Sequence, residues 1–138
     1  MPIIDHSTQR RVARDDFISE RALVTKEHGA TALTIRELVM EPGGSSRLCS
    51  HPTDVAILVQ EGSIQMVVGE EVQTVRTGYT LLAPPHVPYK LINNTWVAAR
   101  MLVISPTDDV QTEYLEFDVL PQMNPGDSQD RPSTSGGA

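Results

Sequence analysis

GGSSRLCSHPTDVAILVQEG, residues 43–62, is the most informative stretch of the chain, and GYTLLAPPHVPYKLIN, residues 78–93, is its counterpart. In both, five residues follow the first glycine before a short Cys-Ser-His or Pro-Pro-His sequence. Residues 55–59 form an apolar run that stops at Glu61-Gly62, as expected for a strand buried on both faces. Residues 80–83 must end a short strand at Pro84, because proline has no N–H to donate to a β-ladder. Each stretch therefore predicts a strand that is bounded by turns.

The rest of the chain also has the pattern of short strands. Branched and alternating apolar residues, separated by turn signals, predict strands at residues 31–40, 63–68, 72–75, 96–104 and 113–120. Gly69 lies between two of these segments and predicts a hairpin. No segment has a helical period. The sequence therefore predicts an all-β barrel or sandwich.

With their internal spacings intact, and with fifteen residues between Gly62 and Gly78, the two stretches resemble the two motifs of the cupin superfamily. The resemblance covers residues from about 20 to about 118. It implies an all-β fold, an antiparallel jelly-roll β-barrel. An extended N-terminal arm and a disordered C-terminal tail would flank the barrel.

Composition predicts one structural domain in three segments. Residues 1–20 are polar and weakly patterned, which is typical of an arm or an edge strand. Residues 21–120 form the predicted barrel. Residues 121–138 are rich in Pro, Gly, Ser and Asp and offer almost no apolar surface to offset the entropy of ordering. We expect this tail to be disordered, with a structured lid over the barrel as the alternative.

Charge and cysteine content exclude several classes of protein. The formal net charge of −7 argues against nucleic acid or an anionic membrane as a partner, since both select for clustered Lys and Arg. A single cysteine cannot form an internal disulfide, and the N-terminus has no apolar stretch typical of a signal peptide. We therefore expect a cytoplasmic protein, and the resemblance to cupins implies that its partner is a small-molecule metabolite.

In metal-binding cupins the first motif supplies His, His and Glu, and the second motif supplies another His. The resemblance places these four ligands at Cys49, His51, Val55 and Tyr89, so only His51 is unchanged. Cys49, His51 and Tyr89 could together hold iron, zinc or copper. Because the carboxylate and two imidazoles have been replaced, we expect no cofactor, and a transition metal is the alternative.

Strand alternation places Arg47, Cys49 and His51 on one face of their strand. If the barrel closes as in cupins, this row points into the lumen, where Tyr89 meets it from the neighbouring strand. His51 titrates near neutral pH and is the candidate acid or base, while Tyr89 can donate a phenolic proton to a developing oxyanion. Cys49 completes the predicted catalytic set. The alternatives are a hydrogen-bonded core histidine and a core tyrosine.

Three residues are predicted to contact substrate. Arg47 can pair with a carboxylate or phenolate through its planar fork, or it is a surface charge if the strand is exposed there. Val55 replaces the ligand carboxylate on the lumen side. His86 either lies at the mouth of the barrel or is a loop histidine.

Three functions follow from the resemblance and these residues. The first is a metal-independent cyclase, isomerase or lyase that acts on a polyketide-like or aromatic carbonyl metabolite. The second is a metal-dependent oxygenase or isomerase that uses Cys49, His51 and Tyr89. The third is a non-catalytic module that binds a ligand in the lumen. The resemblance also implies a homodimer, with residues 1–20 as the arm that covers an edge strand.

Overall fold

Eleven β-strands and two short 3-10 helices form the computed structural model, which describes residues 2–115. The helices are His6–Thr8 and Lys26–His28. The strands are β1 (Arg11–Ala13), β2 (Ile18–Val24), β3 (Thr34–Met40), β4 (Cys49–Ser50), β5 (Val55–Glu61), β6 (Ser63–Val68), β7 (Glu71–Arg76), β8 (Thr80–Ala83), β9 (Tyr89–Ile92), β10 (Ala99–Ser105) and β11 (Glu113–Tyr114). The prediction of an all-β fold is confirmed. Within these residues no helix has the length and apolar character needed to cross a bilayer. The predicted tail, residues 121–138, and its alternative as a lid lie outside the described residues.

The strands form two antiparallel sheets. One has the order β1-β2-β3-β10-β5-β8 and the other has the order β11-β4-β9-β6-β7. Strands distant in the chain become neighbours, since β10 pairs with both β3 and β5. One cluster of buried apolar side chains draws on both sheets, with Met40 and Met101 from the first and Ile64 and Leu91 from the second. The core therefore lies between two sheets, as the jelly-roll prediction requires.

The predicted turns are found where proline and glycine place them. β8 ends at Ala83, directly before Pro84, and β6 and β7 form a hairpin around Gly69. The strand predicted to begin at residue 96 begins instead at Ala99. The reason is Asn93, whose buried side chain donates to the carbonyl oxygens of Met40 and Val97, each at 2.9 Å. These bonds hold the residues before β10 in a loop.

The prediction that residues 55–59 are buried on both faces is wrong. Val55, Ile57 and Val59 are buried, but Ala56 and Leu58 are only half-buried, because they face away from the core. Cross-strand register brings them beside other outward apolar side chains. The outer patch, as we call it, consists of Ala56, Leu58, Leu82, Leu102 and Ile104.

The N-terminal segment is extended and lies against the barrel as an edge strand. β1 pairs with β2 of the same chain, from Arg11 opposite Arg21 to Ala13 opposite Ser19. β2 begins at Ile18 and continues the sheet into β3. Residues 11–13 and 18–20 are therefore part of the barrel wall. The segment does not lie apart from the barrel as a separate arm.

Glu37 is a buried carboxylate on β3 that is covered by arginines on the outer side of the first sheet. Its side chain is only 6 % exposed and forms ion pairs with Arg11, with Arg21 at 3.0 Å and with Arg100 at 3.5 Å. Burial alone would raise the pKa of Glu37, but hydrogen bonds and charge from Arg11 and Arg21 outweigh burial and lower this pKa below its ordinary value. The carboxylate therefore holds β1, β2 and β10 to β3.

We expect Glu37→Gln to lower the free energy of unfolding at pH 7 by about 2 kcal/mol. The value is below that of a fully buried pair, because Arg11 and Arg100 are each 35 % exposed. Since the folded-state pKa lies below the unfolded one, the stabilisation is complete above the unfolded pKa and is lost as the pH falls through the folded pKa. Urea unfolding of both proteins from pH 7 into the acid range tests this. The two stabilities should converge in acid.

Glu61→Gln is the matched control, because Glu61 is 67 % exposed and pairs only with Arg100 among the described residues. It should change stability little at any of these pH values. If the difference in free energy of unfolding between the wild type and Glu37→Gln stayed constant with pH, it would contradict the assigned role of the Glu37 carboxylate.

Candidate active site

Strands β4 and β9 bring the predicted catalytic residues together. Cys49 on β4 pairs directly with Tyr89 on β9, and His51 follows β4 by one residue. All three side chains are buried, with exposed fractions of 7 %, 6 % and 5 % respectively. They line the same cavity. The predicted convergence of this row on Tyr89 inside the barrel is therefore what the structure shows.

The cavity has a volume of about 360 Å³. One part of its wall is apolar and includes Ile18, Leu38, Ile57, Leu91 and Val103. The other part is polar and holds the catalytic candidates. A cavity of this size and mixed lining suits a small organic molecule.

Both ring nitrogens of His51 have a partner. Nδ1 lies 2.8 Å from the carbonyl oxygen of Gln111, and Nε2 lies 2.8 Å from the hydroxyl of Tyr89. A carbonyl oxygen can only accept a hydrogen bond, so Nδ1 carries the proton and donates. Nε2 is then unprotonated and accepts the phenolic proton of Tyr89. The backbone of Gln111 thus makes Nε2 the basic nitrogen, on the side of the cavity.

The three groups are neutral at physiological pH. Burial lowers the pKa of His51, and the charge of Arg36 lowers it further, against a hydrogen bond to Gln111 that raises it. Burial, followed by the neighbouring Cys49, raises the pKa of Tyr89 far above its ordinary value. Burial also raises the pKa of the Cys49 thiol, whose side chain hydrogen-bonds Tyr89. Because the Tyr89 proton is directed to His51, the thiol donates in this last bond.

The residues predicted to contact substrate lie in three different places. Arg47 lines the cavity at its exposed end, where its guanidinium stacks on the ring of Tyr114 at 4.2 Å. Val55 is 1 % exposed, belongs to the core cluster and is not part of the cavity wall. His86 is exposed and lines a separate, smaller depression on the other side of His51. The prediction that Val55 lies on the lumen side is therefore corrected, because Val55 lies in the core, while contact of His86 with a substrate stays a prediction.

Val55 and His86 lie elsewhere for local reasons. Val55 begins β5 and is paired with Ala83 of β8, in the region where the two sheets pack on each other. His86 has a positive φ of 66°, and its amide donates to the carbonyl oxygen of His51 at 2.6 Å. That turn holds the His86 side chain outside the barrel.

Several charged residues of the cavity were not singled out from the sequence. Arg14, Asp15, Glu20 and Arg36 all line it. Arg36 is half-buried on β3 and shares its face with the buried residues Thr34 and Met40. Strand parity alone could have identified Arg36, because a lumen-facing arginine between buried neighbours on the same face is unusual.

The residues at the four expected ligand positions fit a transition metal poorly. Val55 has no donor atom and lies in the core. Cys49 and Tyr89 are both buried, and both nitrogens of His51 are engaged in hydrogen bonds within the protein. Residues 2–115 contain no group of three or more His, Cys, Asp or Glu side chains placed to hold an ion.

Comparison with known sequences identifies one family. The Cupin domain family matches residues 36–105, which is just over half of the 138 residues and extends from β3 through β10. Arg36, Cys49, His51 and Tyr89 all lie within this match. No curated protein sequence is significantly similar to the chain.

Solved structures extend the likeness at the level of the fold. The polyketide cyclase RemF from Streptomyces resistomycificus superposes with a TM-score of 0.73 at 20 % identity, over 83 % of this chain and 85 % of that chain. Peruvianin-I, a cysteine peptidase from Thevetia peruviana latex, gives a TM-score of 0.70 at 18 % identity, over 82 % of this chain and 76 % of that chain. A variant of oxalate decarboxylase from Bacillus subtilis gives 0.72 at 15 % identity, over 85 % of this chain and 34 % of that chain. These proteins have different activities, so the likeness concerns the fold alone.

Proposed function

The chain belongs to the cupin family, and from that premise we propose that it is a small-molecule enzyme in which His51 and Tyr89 move a proton without a metal. The observation that carries the proposal is the 2.8 Å bond between Nε2 of His51 and the Tyr89 hydroxyl, at the wall of the cavity. The substrate class is an aromatic or polyketide-like carbonyl compound, and the reaction is a cyclisation, isomerisation or elimination. The likeness in fold to a polyketide cyclase supports this substrate class.

The proton path follows from the hydrogen bonds. A proton leaves the carbon next to the substrate carbonyl and goes to the Tyr89 oxygen, while the phenolic proton passes to Nε2 of His51. The products are a substrate enolate, a neutral phenol and an imidazolium whose Nδ1–H still donates to Gln111. Returning the proton by the same path to a different substrate atom completes an isomerisation. Attack of the enolate carbon on a second carbonyl, whose alkoxide oxygen then takes the proton back from His51 through Tyr89, completes a cyclisation.

Two other functions remain as alternatives to be tested. A metal-dependent oxygenase or isomerase would use Cys49, His51 and Tyr89 as ligands, and Nε2 of His51 would have to give up its hydrogen bond to Tyr89. A non-catalytic binding module would use the same cavity and leave the ligand unchanged. Measurements of proton transfer and of metal content distinguish all three.

The test uses a neutral aromatic ketone, 2-tetralone, in deuterated buffer. We expect the protein to accelerate exchange of the protons next to the carbonyl, followed by proton NMR. We also expect the rate to survive treatment with a chelator, with less than about a tenth of an equivalent of bound transition metal. A rate abolished by chelation and restored by metal would favour the metal-dependent enzyme. Binding of 2-tetralone without any exchange would favour the binding module.

The homodimer and the cytoplasmic location stay predictions. The outer patch supports the homodimer, since its five apolar side chains lie together on the outside of the first sheet, with Leu82 58 % exposed. β1 pairs with β2 of its own chain. A partner subunit would therefore contact the face of this sheet more readily than exchange the arm.

A further inference from the structure

Arg36 is a cation in the cavity whose hydrogen-bonding capacity is largely unused. Its side chain is 22 % exposed, and its Nε is buried with no hydrogen-bond partner among residues 2–115. Within the described residues Arg36 forms one ion pair, to Glu20, whose Oε1 lies 3.9 Å from Nη1, too far for a hydrogen bond. A half-buried guanidinium with so few acceptors is costly, and a ligand in the cavity can supply acceptors to its terminal nitrogens.

The acids near Arg36 are already occupied. Arg14 donates to both carboxylate oxygens of Glu20, with distances of 3.0 and 2.8 Å. Asp15 accepts through Oδ1 from the backbone amides of Phe17 and Ile18, at 2.7 and 2.8 Å. Neither carboxylate is free to turn to Arg36 without giving up bonds it already has.

The charged residues of the cavity wall leave a positive balance. Among residues 2–115, Arg14, Arg36 and Arg47 carry three positive charges at the wall, while Asp15 and Glu20 carry two negative ones, and His51 is neutral. The described part of the cavity wall is thus positive in a protein whose formal net charge is −7. A cavity of that sign favours an anion over a neutral or cationic molecule of the same shape.

We propose that Arg36 binds a carboxylate of the substrate, so that the natural substrate is a carbonyl compound with a carboxylate group. A carboxylate presents two coplanar oxygens that match the two terminal nitrogens, Nη1 and Nη2, of the guanidinium. The inference rests on the proposed function, because it assigns the charge of the substrate at the same cavity. It also explains why Arg36 lies close enough to His51, Cys49 and Tyr89 to influence the pKa of each.

The experiment compares two inert ligands of equal shape, 2-naphthoate and 2-naphthamide, by titration calorimetry. We expect the wild type to bind the carboxylate about 10- to 100-fold more tightly than the amide. Arg36→Gln should remove this preference, and Arg36→Lys should retain part of it, because lysine keeps the charge and loses the planar fork. Thermal unfolding confirms that each variant is folded.

Arg76→Gln is the matched control. Arg76 lies on β7, stacks on Tyr79 and does not line the cavity, so its variant should bind both ligands as the wild type does. Equal affinity for the two ligands, no measurable binding of 2-naphthoate, or a preference that survives Arg36→Gln would each overturn the inference. A wild type that binds 2-naphthoate through Arg36 and also binds 2-tetralone, but exchanges none of its protons, would keep the inference and end the proposed enzymatic function.

Discussion

Gly62→Ala is expected to lower the free energy of unfolding by about 3 kcal/mol or more, while Gly78→Ala lowers it by about 1 kcal/mol. Both glycines have a positive φ, of 80° and 98° respectively, so both substitutions carry the cost of a left-handed backbone. A Cβ at position 62 would in addition lie 2.6 Å from the carbonyl oxygen of Ala98 and 3.0 Å from Cα of Ala99. At position 78 a Cβ meets no atom within 4 Å.

The difference between the two variants isolates the close approach of two backbones. Gly62 joins β5 to β6 and lies against the backbone of Ala98 and Ala99, at the start of β10. Backbone atoms cannot move aside as the end of a long side chain can. Urea unfolding should show a lower midpoint for Gly62→Ala with an unchanged slope. Equal losses for the two variants would mean that backbone conformation alone accounts for both. The close approach of Ala98 and Ala99 would then not be the reason that position 62 requires glycine.

His51→Gln should slow exchange of 2-tetralone protons by about 10²- to 10⁴-fold, because glutamine has no nitrogen that can take up the phenolic proton of Tyr89. Binding of 2-naphthoate should change little, since the ligand is expected to be held by Arg36. The fold should survive, as glutamine fills a similar volume and can hydrogen-bond Tyr89. Tyr89→Phe should give a comparable loss, because the path from substrate to His51 is then interrupted.

The pH profile of exchange gives an independent test of the same role. The base is neutral His51, and burial lowers its pKa below the ordinary value of 6.5. The rate should therefore be constant near neutral pH and fall as the pH decreases through this lowered pKa. His86→Gln is the control, because His86 lies outside the cavity wall, and it should keep both the rate and the profile. A His51→Gln variant with most of the wild-type rate would refute the acid–base role.

Local patterns in the sequence were sufficient for much of the fold. Proline at position 84 ends β8 because of what its own backbone lacks, and the alternation of residues 47, 49 and 51 follows from the geometry of any strand. The spacing of the two glycine-bounded stretches was enough to place Tyr89 beside Cys49. These features depend on residues close in the chain or on a family pattern.

Other features depend on contacts between distant segments. The partner of Nδ1 of His51 is the carbonyl of Gln111, sixty residues later in the chain, and a backbone carbonyl has no signal in the sequence. The outward face of β5 could not be recognised from residues 55–59, because alanine and leucine occur on either side of a sheet. Strand parity would have been enough to predict that Arg36 faces the lumen. That Glu20 does not hydrogen-bond Arg36 could not be predicted, because it depends on the pairing of Glu20 with Arg14.

The hydrogen bond from His51 to the main chain of Gln111 affects which residues evolution can tolerate at position 111. Every amino acid brings the same main-chain oxygen, so drift at position 111 can replace the side chain without disturbing the tautomer of the imidazole. Selection would act instead on whatever seats this segment against β4, where β11 contributes only Glu113 and Tyr114. Homologues that retain the same chemistry could therefore differ freely at position 111 while preserving the docking of the residues that follow it.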